Sequence, residues 1–179
     1  LGTAGKINEN DLNISALKNS EMVFLEGYLW DEGDPKKAFD KAIKNANKVA
    51  MSLSDKFCVD RHKTHFYELV KNKLDITFAN EQEIMSLINA KTFQEVISFS
   101  KEIKKLLVIT RGEKGAISIK EGNVTEVGIK KNLNIIDLTG AGDLFAAGYL
   151  HGILNNFSTM DCLVKGTEMS SKVIQQIGA

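Results

Sequence analysis

The chain has 179 residues, 43% of them hydrophobic and 26% charged, enough apolar material for one sizeable core and too much for a disordered tail. Its 23 lysines and arginines balance 23 aspartates and glutamates, which excludes the strong positive field of a dedicated nucleic-acid binder and suits a small neutral substrate. No apolar run approaches a membrane span, no basic-then-apolar segment opens the chain, and the two distant cysteines, Cys58 and Cys162, make neither a disulfide scaffold nor a zinc site, so a cytoplasmic protein with no membrane or nucleic-acid partner is expected.

In chain order, residues 22–25 read as a buried strand running into a loop at 26–30, and Asp34-Pro35 opens a helix to about residue 50 with proline in its first turn. Residues 49–53 form the next strand. Phe66, Leu69 and Val70 recur at helical spacing across 61–73, and 75–79 is a short β-rich run. Residues 81–88 and 93–103 are helical by their apolar spacing, and 106–110, Leu-Leu-Val-Ile-Thr, is the strongest buried strand. Alternating runs at 116–120 and 124–129 flank Glu121-Gly122-Asn123 as a β-hairpin. Residues 135–136 make a brief strand, and 142–155 and 158–177 are closing helices. This alternation argues for an α/β layered architecture with a mainly parallel sheet. One proline and no Gly/Ser-rich linker mark no internal boundary, so 1–179 is read as one domain, or one part of one.

The densest chemical signal is Asp137-Leu138-Thr139-Gly140-Ala141-Gly142-Asp143, placed between an apolar strand and an amphipathic helix. Small residues at a helix start let first-turn N–H groups approach a phosphate closely, where the helix dipole also favours negative charge. A carboxylate in that turn, Asp143, is suited to accept a proton from an attacking hydroxyl. An ordinary tight turn with Thr139 or Asp143 as N-cap uses the same residues. The position favours a ligand, because open α/β sheets bind ligands at the carboxyl ends of their strands.

This loop, continued by Leu144-Phe145-Ala146-Ala147-Gly148, resembles the signature of the ribokinase-like (PfkB) carbohydrate and nucleoside kinases, with Leu138 where that family usually carries a small residue. Two more segments carry the resemblance: Asn80-Glu81-Gln82-Glu83 is similar to the family's Asn-x-x-Glu element, and Thr110-Arg111-Gly112-Glu113-Lys114-Gly115-Ala116 to its Thr-x-Gly-x-x-Gly-Ala turn. Taken alone, the first is a helix cap with a first-turn acid and the second a strand followed by a glycine turn. Residues 25–31 and 52–62 look like the bacterial adenosine-kinase-like branch.

The resemblance implies a ribokinase-like α/β/α sandwich, present here as the C-terminal ATP-binding and catalytic portion, without the N-terminal substrate and lid portion. It implies ATP and Mg2+ as cofactors, Asp143 as general base, and an anion hole of Gly140, Ala141 and Gly142. Asn80 and Glu83 would organise magnesium, Glu83 through water. Thr110, Gly112 and Gly115 would lie beside the nucleotide, and Asp137 and Thr139 where a monovalent cation such as K+ is held. The acceptor would be the 5′-hydroxyl of adenosine or a related nucleoside, with a sugar such as ribose, fructose or 2-keto-3-deoxygluconate as the alternative. A nucleotide-binding fragment inactive by itself stays open as a different class, and a homodimer is compatible with the family. Thr167 stands where relatives often place Asn or His near the adenine.

Three features point elsewhere. Gly2-Thr3-Ala4-Gly5-Lys6-Ile7 lacks Walker A spacing and has Ile7 where a hydroxyl belongs. His62 and His65 share a helical face without a third ligand, and read as solvated helix histidines. Arg61 and Arg111, the only arginines, are each either a bidentate clamp for phosphate or carboxylate, or a surface charge.

Overall fold

The computed structural model describes residues 2–30 and 35–178. Six strands lie side by side in sequence order: β1 (Val23–Glu26), β2 (Val49–Ser52), β3 (Ile76–Asn80) and β4 (Leu106–Thr110) are parallel, and β5 (Ala116–Lys120) and β6 (Asn123–Val127) return antiparallel as the expected hairpin. Helix α1 (Ile14–Asn19) precedes β1, and α2 (Pro35–Asn45) connects β1 to β2. Helices α3 (Lys56–Arg61) and α4 (Lys63–Glu68) lead to β3, and α5 (Glu81–Leu87) and α6 (Phe93–Ile103) lead to β4. The closing pair is α7 (Ala141–Leu154) and α8 (Thr159–Val173).

Successive strand residues point to opposite faces of a sheet, and here each face has its own core. Met51, Leu107, Ile109, Ile117 and Ile119 pack with Phe39, Phe66, Ile84, Val96 and Phe99 from the helices between the strands. Ala50, Ile76, Phe78, Val108 and Ala116 pack instead with Phe145, Ala146, Tyr149, Cys162 and Leu163 of the closing pair. One sheet between two helical layers is the expected ribokinase-like α/β/α sandwich. The glycines of α7 let α8 approach closely: a Cβ on Gly148 would stand 2.7 Å from the Lys165 carbonyl oxygen.

The structure corrects four boundaries. Helix α2 ends at Asn45, not near 50, because the Asn47 amide donates to the carbonyls of Lys18 and Ser20 at 2.9 and 2.7 Å and holds the turn that delivers Val49 to β2. Asp34 lies outside the described residues. The helix expected over 61–73 is three pieces: it is interrupted at His62 (φ −111°, ψ 20°) and closes in a π turn at Leu69–Lys73. The wider π turn buries Leu69, Val70 and Leu74 together. Residues 135–136 form no strand. Ile135 and Ile136 are exposed, and the Ile136 N–H donates to the Ile174 carbonyl at 2.8 Å, tying this segment to the end of α8 instead of the sheet. Helix α8 ends at Val173 and does not reach 177: the Gln175 and Gln176 N–H groups donate to the Lys172 and Val173 carbonyls in tight turns that replace the helical ladder.

Candidate active site

The carboxyl ends of β1 to β4 and the start of α7 surround a cavity of about 490 Å³. Asn80 closes β3 and Thr110 closes β4, and the two are paired across the strands. The loop 137–143 brings Asp143 and Gly140–Gly142 to the same cavity from the opposite helical layer.

That loop is organised by Asp137, whose Oδ1 accepts the Thr139 N–H at 2.9 Å and its hydroxyl at 2.8 Å while Oδ2 accepts the Gly178 N–H at 3.1 Å. These bonds, the Thr139 N–H foremost, hold the Asp137 carboxyl below its usual range. Gly140 then adopts the left-handed conformation (φ 74°) as the N-cap of α7, and no side chain caps the helix. Neither Thr139 nor Asp143 therefore does the capping that the ordinary-turn reading requires. Among the described residues the N–H groups of Gly140, Gly142 and Asp143 have no protein acceptor, whereas that of Ala141 donates to the Leu138 carbonyl at 3.2 Å. Gly142 has no protein atom within 4 Å of where a Cβ would sit and no left-handed φ. Nothing within the protein demands glycine there, and the missing side chain leaves room for a ligand to approach the backbone closely.

Asn80 and Glu83 form a reciprocal capping box at the start of α5. Asn80 Oδ1 accepts the Glu83 N–H at 2.9 Å, and the Glu83 carboxylate accepts the Asn80 N–H at 2.8 Å and its Nδ2 at 2.5 Å. The cap and the ligand reading coexist, since both residues also line the cavity. Burial raises the Glu83 carboxyl, and the Asn80 bonds oppose the rise. Among the described residues no three His, Cys, Asp or Glu side chains come together as a metal cage. The donors fit instead a magnesium ion that keeps waters and phosphate oxygens as ligands, which is that ion's ordinary habit.

Sequence reasoning assigned no role to Glu26 and Ser54. Glu26 ends β1 half-buried in the same cavity and accepts the Ser54 hydroxyl at 3.1 Å. Burial, reinforced by the Asp143 and Glu83 carboxylates and only partly offset by Ser54, pushes its pKa up to about 7. Ser54 is held at φ 72°, a left-handed conformation that non-glycine residues adopt at a cost and that clusters at functional sites. The available signal was a carboxylate closing an otherwise apolar strand.

A second cavity, of about 400 Å³ and mostly apolar, adjoins the first through Thr110, Leu138, Ala141, Gly142 and Phe145. Thr110, Gly112 and Gly115 all border it. Gly115 also has a reason internal to the protein, since at φ 88° a Cβ would overlap the Val127 carbonyl oxygen. Thr167 borders this cavity, and its hydroxyl is buried without a hydrogen-bond partner among the described residues. A mostly apolar slot of this size fits a flat, mostly apolar ring.

The remaining candidates lie elsewhere. Residues Ala4–Lys6 form a 3₁₀ turn, not a phosphate loop. His65 is exposed and within 2.9 Å of the Lys36 ammonium, but His62 is half-buried against the Phe66 ring. Cys58 and Cys162 are buried and form no disulfide. No helix among the described residues is long and apolar enough to cross a membrane.

Residues 2–179 match the model of the pfkB family carbohydrate kinases. The chain is 32% identical to the cytidine kinase of Thermococcus kodakarensis over 113 residues, covering 61% of this chain and 40% of that protein. Its structure superposes on that of the adenosine kinase of Sinorhizobium meliloti with a TM-score of 0.93 at 34% identity, covering 97% of this chain and 55% of that one. A ribokinase II from E. coli, solved with ATP and Mg2+, shares the fold (TM-score 0.87, 19% identity, 97% of this chain and 58% of that one). The chain thus spans about half the length of the kinases it matches.

Proposed function

The chain belongs to the pfkB family of carbohydrate kinases, and on that premise we propose that its site serves phosphoryl transfer from ATP to a hydroxymethyl group, with the 5′-hydroxyl of adenosine or a related nucleoside as acceptor. The observation that carries this reading is the convergence of Asp143, the uncapped start of α7, Asn80, Glu83 and Thr110 on one cavity. Likeness to an adenosine kinase and a cytidine kinase favours a nucleoside acceptor.

In this reading the nucleobase enters the apolar slot bordered by Thr167. Magnesium neutralises phosphate charge when bound, and Asn80 and Glu83 orient its waters. Asp143 removes the proton from the attacking hydroxyl. The N–H groups of Gly140 and Gly142, unpaired within the protein, donate to oxygens of the transferring group. Ala141 contributes as a small residue more than as a donor, because its N–H is engaged by Leu138. Glu26, steadied by the Ser54 hydroxyl, supplies an acceptor for a hydroxyl of a neutral polyol, and Asp137 with Thr139 forms the oxygen-rich turn that would attract K+.

The test is ADP release by the protein expressed from its complete reading frame, with Mg2+ and ATP, across adenosine, cytidine, ribose, fructose and 2-keto-3-deoxygluconate. Turnover with a nucleoside supports the reading. Preference for a sugar moves the acceptor and keeps the chemistry. ATP binding with no ADP release from any acceptor leaves a nucleotide-binding module in place of a kinase.

A further inference from the structure

A third cavity, of about 530 Å³, lies beside the candidate site and shares Asn80 and Thr110 with it. Thr110 borders all three cavities, so the third opens at the junction of the reaction cavity and the apolar slot. Its charged lining is Arg111, Lys114 and Glu81, two cations against one anion.

Arg111 is held in place from two sides. Its Nε donates to Glu81 Oε2 at 2.9 Å, and its guanidinium lies 4.0 Å from the centre of the Phe93 ring. The pair is mostly shielded, with the Arg111 and Glu81 side chains 17% and 23% exposed. Neither Nη of Arg111 donates to a protein acceptor among the described residues. A guanidinium fixed in orientation with its two terminal nitrogens uncommitted is suited to paired oxygens of a phosphate. Lys114, 3.4 Å from the other Glu81 oxygen and largely exposed, adds a second cation.

We propose that Arg111 is a nucleotide-phosphate clamp, pre-oriented by Phe93 and Glu81, with the Glu81 carboxylate competing for the guanidinium that the phosphate takes. The proposal rests on the reading of the neighbouring cavities as an ATP site and adds to it a cationic subsite for the phosphate chain. Glu81 has two opposed effects, holding Arg111 in position and repelling a polyanion. Since the Phe93 ring orients Arg111 without Glu81, repulsion is the effect that dominates once Glu81 is neutralised.

The test is calorimetric titration of ATP, with Mg2+ held constant, into the protein from the complete reading frame and its variants. Arg111→Gln should weaken ATP binding about tenfold, the loss of a charge-assisted hydrogen bond. Arg111→Lys, which keeps the charge and loses the fork, should fall between, and Glu81→Gln should bind ATP more tightly than the parent. In turnover, the KM for ATP follows these changes while kcat moves far less. Thermal unfolding without nucleotide identifies any variant that fails to fold, and Arg111→Lys then carries the test. An ATP Kd for Arg111→Gln within twofold of the parent overturns the clamp. So does a Glu81→Gln variant as weak as Arg111→Gln, because the pair is then a structural strut. Failure of the kinase reading looks different: the parent binds ATP, Arg111→Gln weakens it, and no acceptor yields ADP. A parent protein that binds no ATP overturns both.

Discussion

Replacing Glu26 by glutamine should make the protein more stable at pH 8 and a poorer enzyme. The Glu26 carboxyl is moved from 4.5 to about 7, chiefly by burial and further by the Asp143 and Glu83 carboxylates. Through linkage, ionising such a group costs roughly 3 kcal/mol of folding stability; Glu26 is only half-buried, and solvent screening cuts this to about 1–2 kcal/mol. The folded state binds the proton more tightly than the unfolded chain. Stability therefore falls as pH rises from 4.5 to about 7, and the full penalty persists above that. Glutamine keeps the shape and still accepts from Ser54, but carries no charge. Scanning calorimetry of the protein from its complete reading frame should give Glu26→Gln a Tm about 3–5 °C above the parent at pH 8 and equal to it near pH 4.5. The KM for the acceptor should rise about tenfold, since a neutral amide replaces a charged acceptor, an exchange of stability for function of the usual kind. A Tm difference independent of pH, or a variant less stable than the parent at pH 8, refutes the assignment of the penalty to a buried carboxylate.

Asp143→Asn should lower kcat by about 10²- to 10⁴-fold, the range of a lost general base, while ATP binding measured by calorimetry stays within a few-fold; near-normal turnover would remove Asp143 from that role. Two glycines should respond in opposite ways: Gly142→Ala should leave Tm nearly unchanged and weaken ATP binding, whereas Gly115→Ala, which overlaps the Val127 carbonyl at a left-handed φ, should cost about 3 kcal/mol or more of stability. Loss of stability in the first variant, or none in the second, would show that these positions have been misread. If the Asp137–Thr139 turn takes up K+, replacing K+ by a bulky organic cation in the ADP-release assay should slow turnover, and equal rates in both would exclude the cation.

The strands were legible because β2, β3 and β4 are short, apolar and buried on both faces, and the glycine turn at 121–123 announces a hairpin. What the pattern could not give was decided by long-range bonds. Asn47 ends α2 early by reaching the carbonyls of Lys18 and Ser20, and the Ile174 carbonyl draws Ile136 away from the sheet. Neither partner is visible in a local window. The same holds at the site. Asp143, Asn80 and Thr110 announce themselves by residue type beside small residues, but Glu26 becomes a site residue only when β1 is laid next to β2 and Ser54 arrives beneath its carboxylate.

The motifs alone could not separate residues that fold the chain from residues that serve a ligand, because both roles use the same types. Geometry distinguishes the residues whose type the protein itself explains from those it leaves unexplained. Gly115 is explained by Val127, and Asn80 and Glu83 explain each other as a cap. By contrast, Gly142 answers no steric demand, the Gly140 N–H finds no acceptor among the described residues, and the Arg111 terminal nitrogens are uncommitted there. These three deficits border three cavities that meet at Thr110. A ligand that satisfied all of them at once and filled the apolar slot would carry a flat ring at one end and a chain of anionic oxygens at the other, which is the shape and charge of a nucleoside triphosphate. Asn80 and Glu83 stand apart from this test because their bonds are complete without a ligand. Their variants alone would lose the α5 cap and ligand binding together, so stability and ATP affinity must be measured side by side in any substitution there.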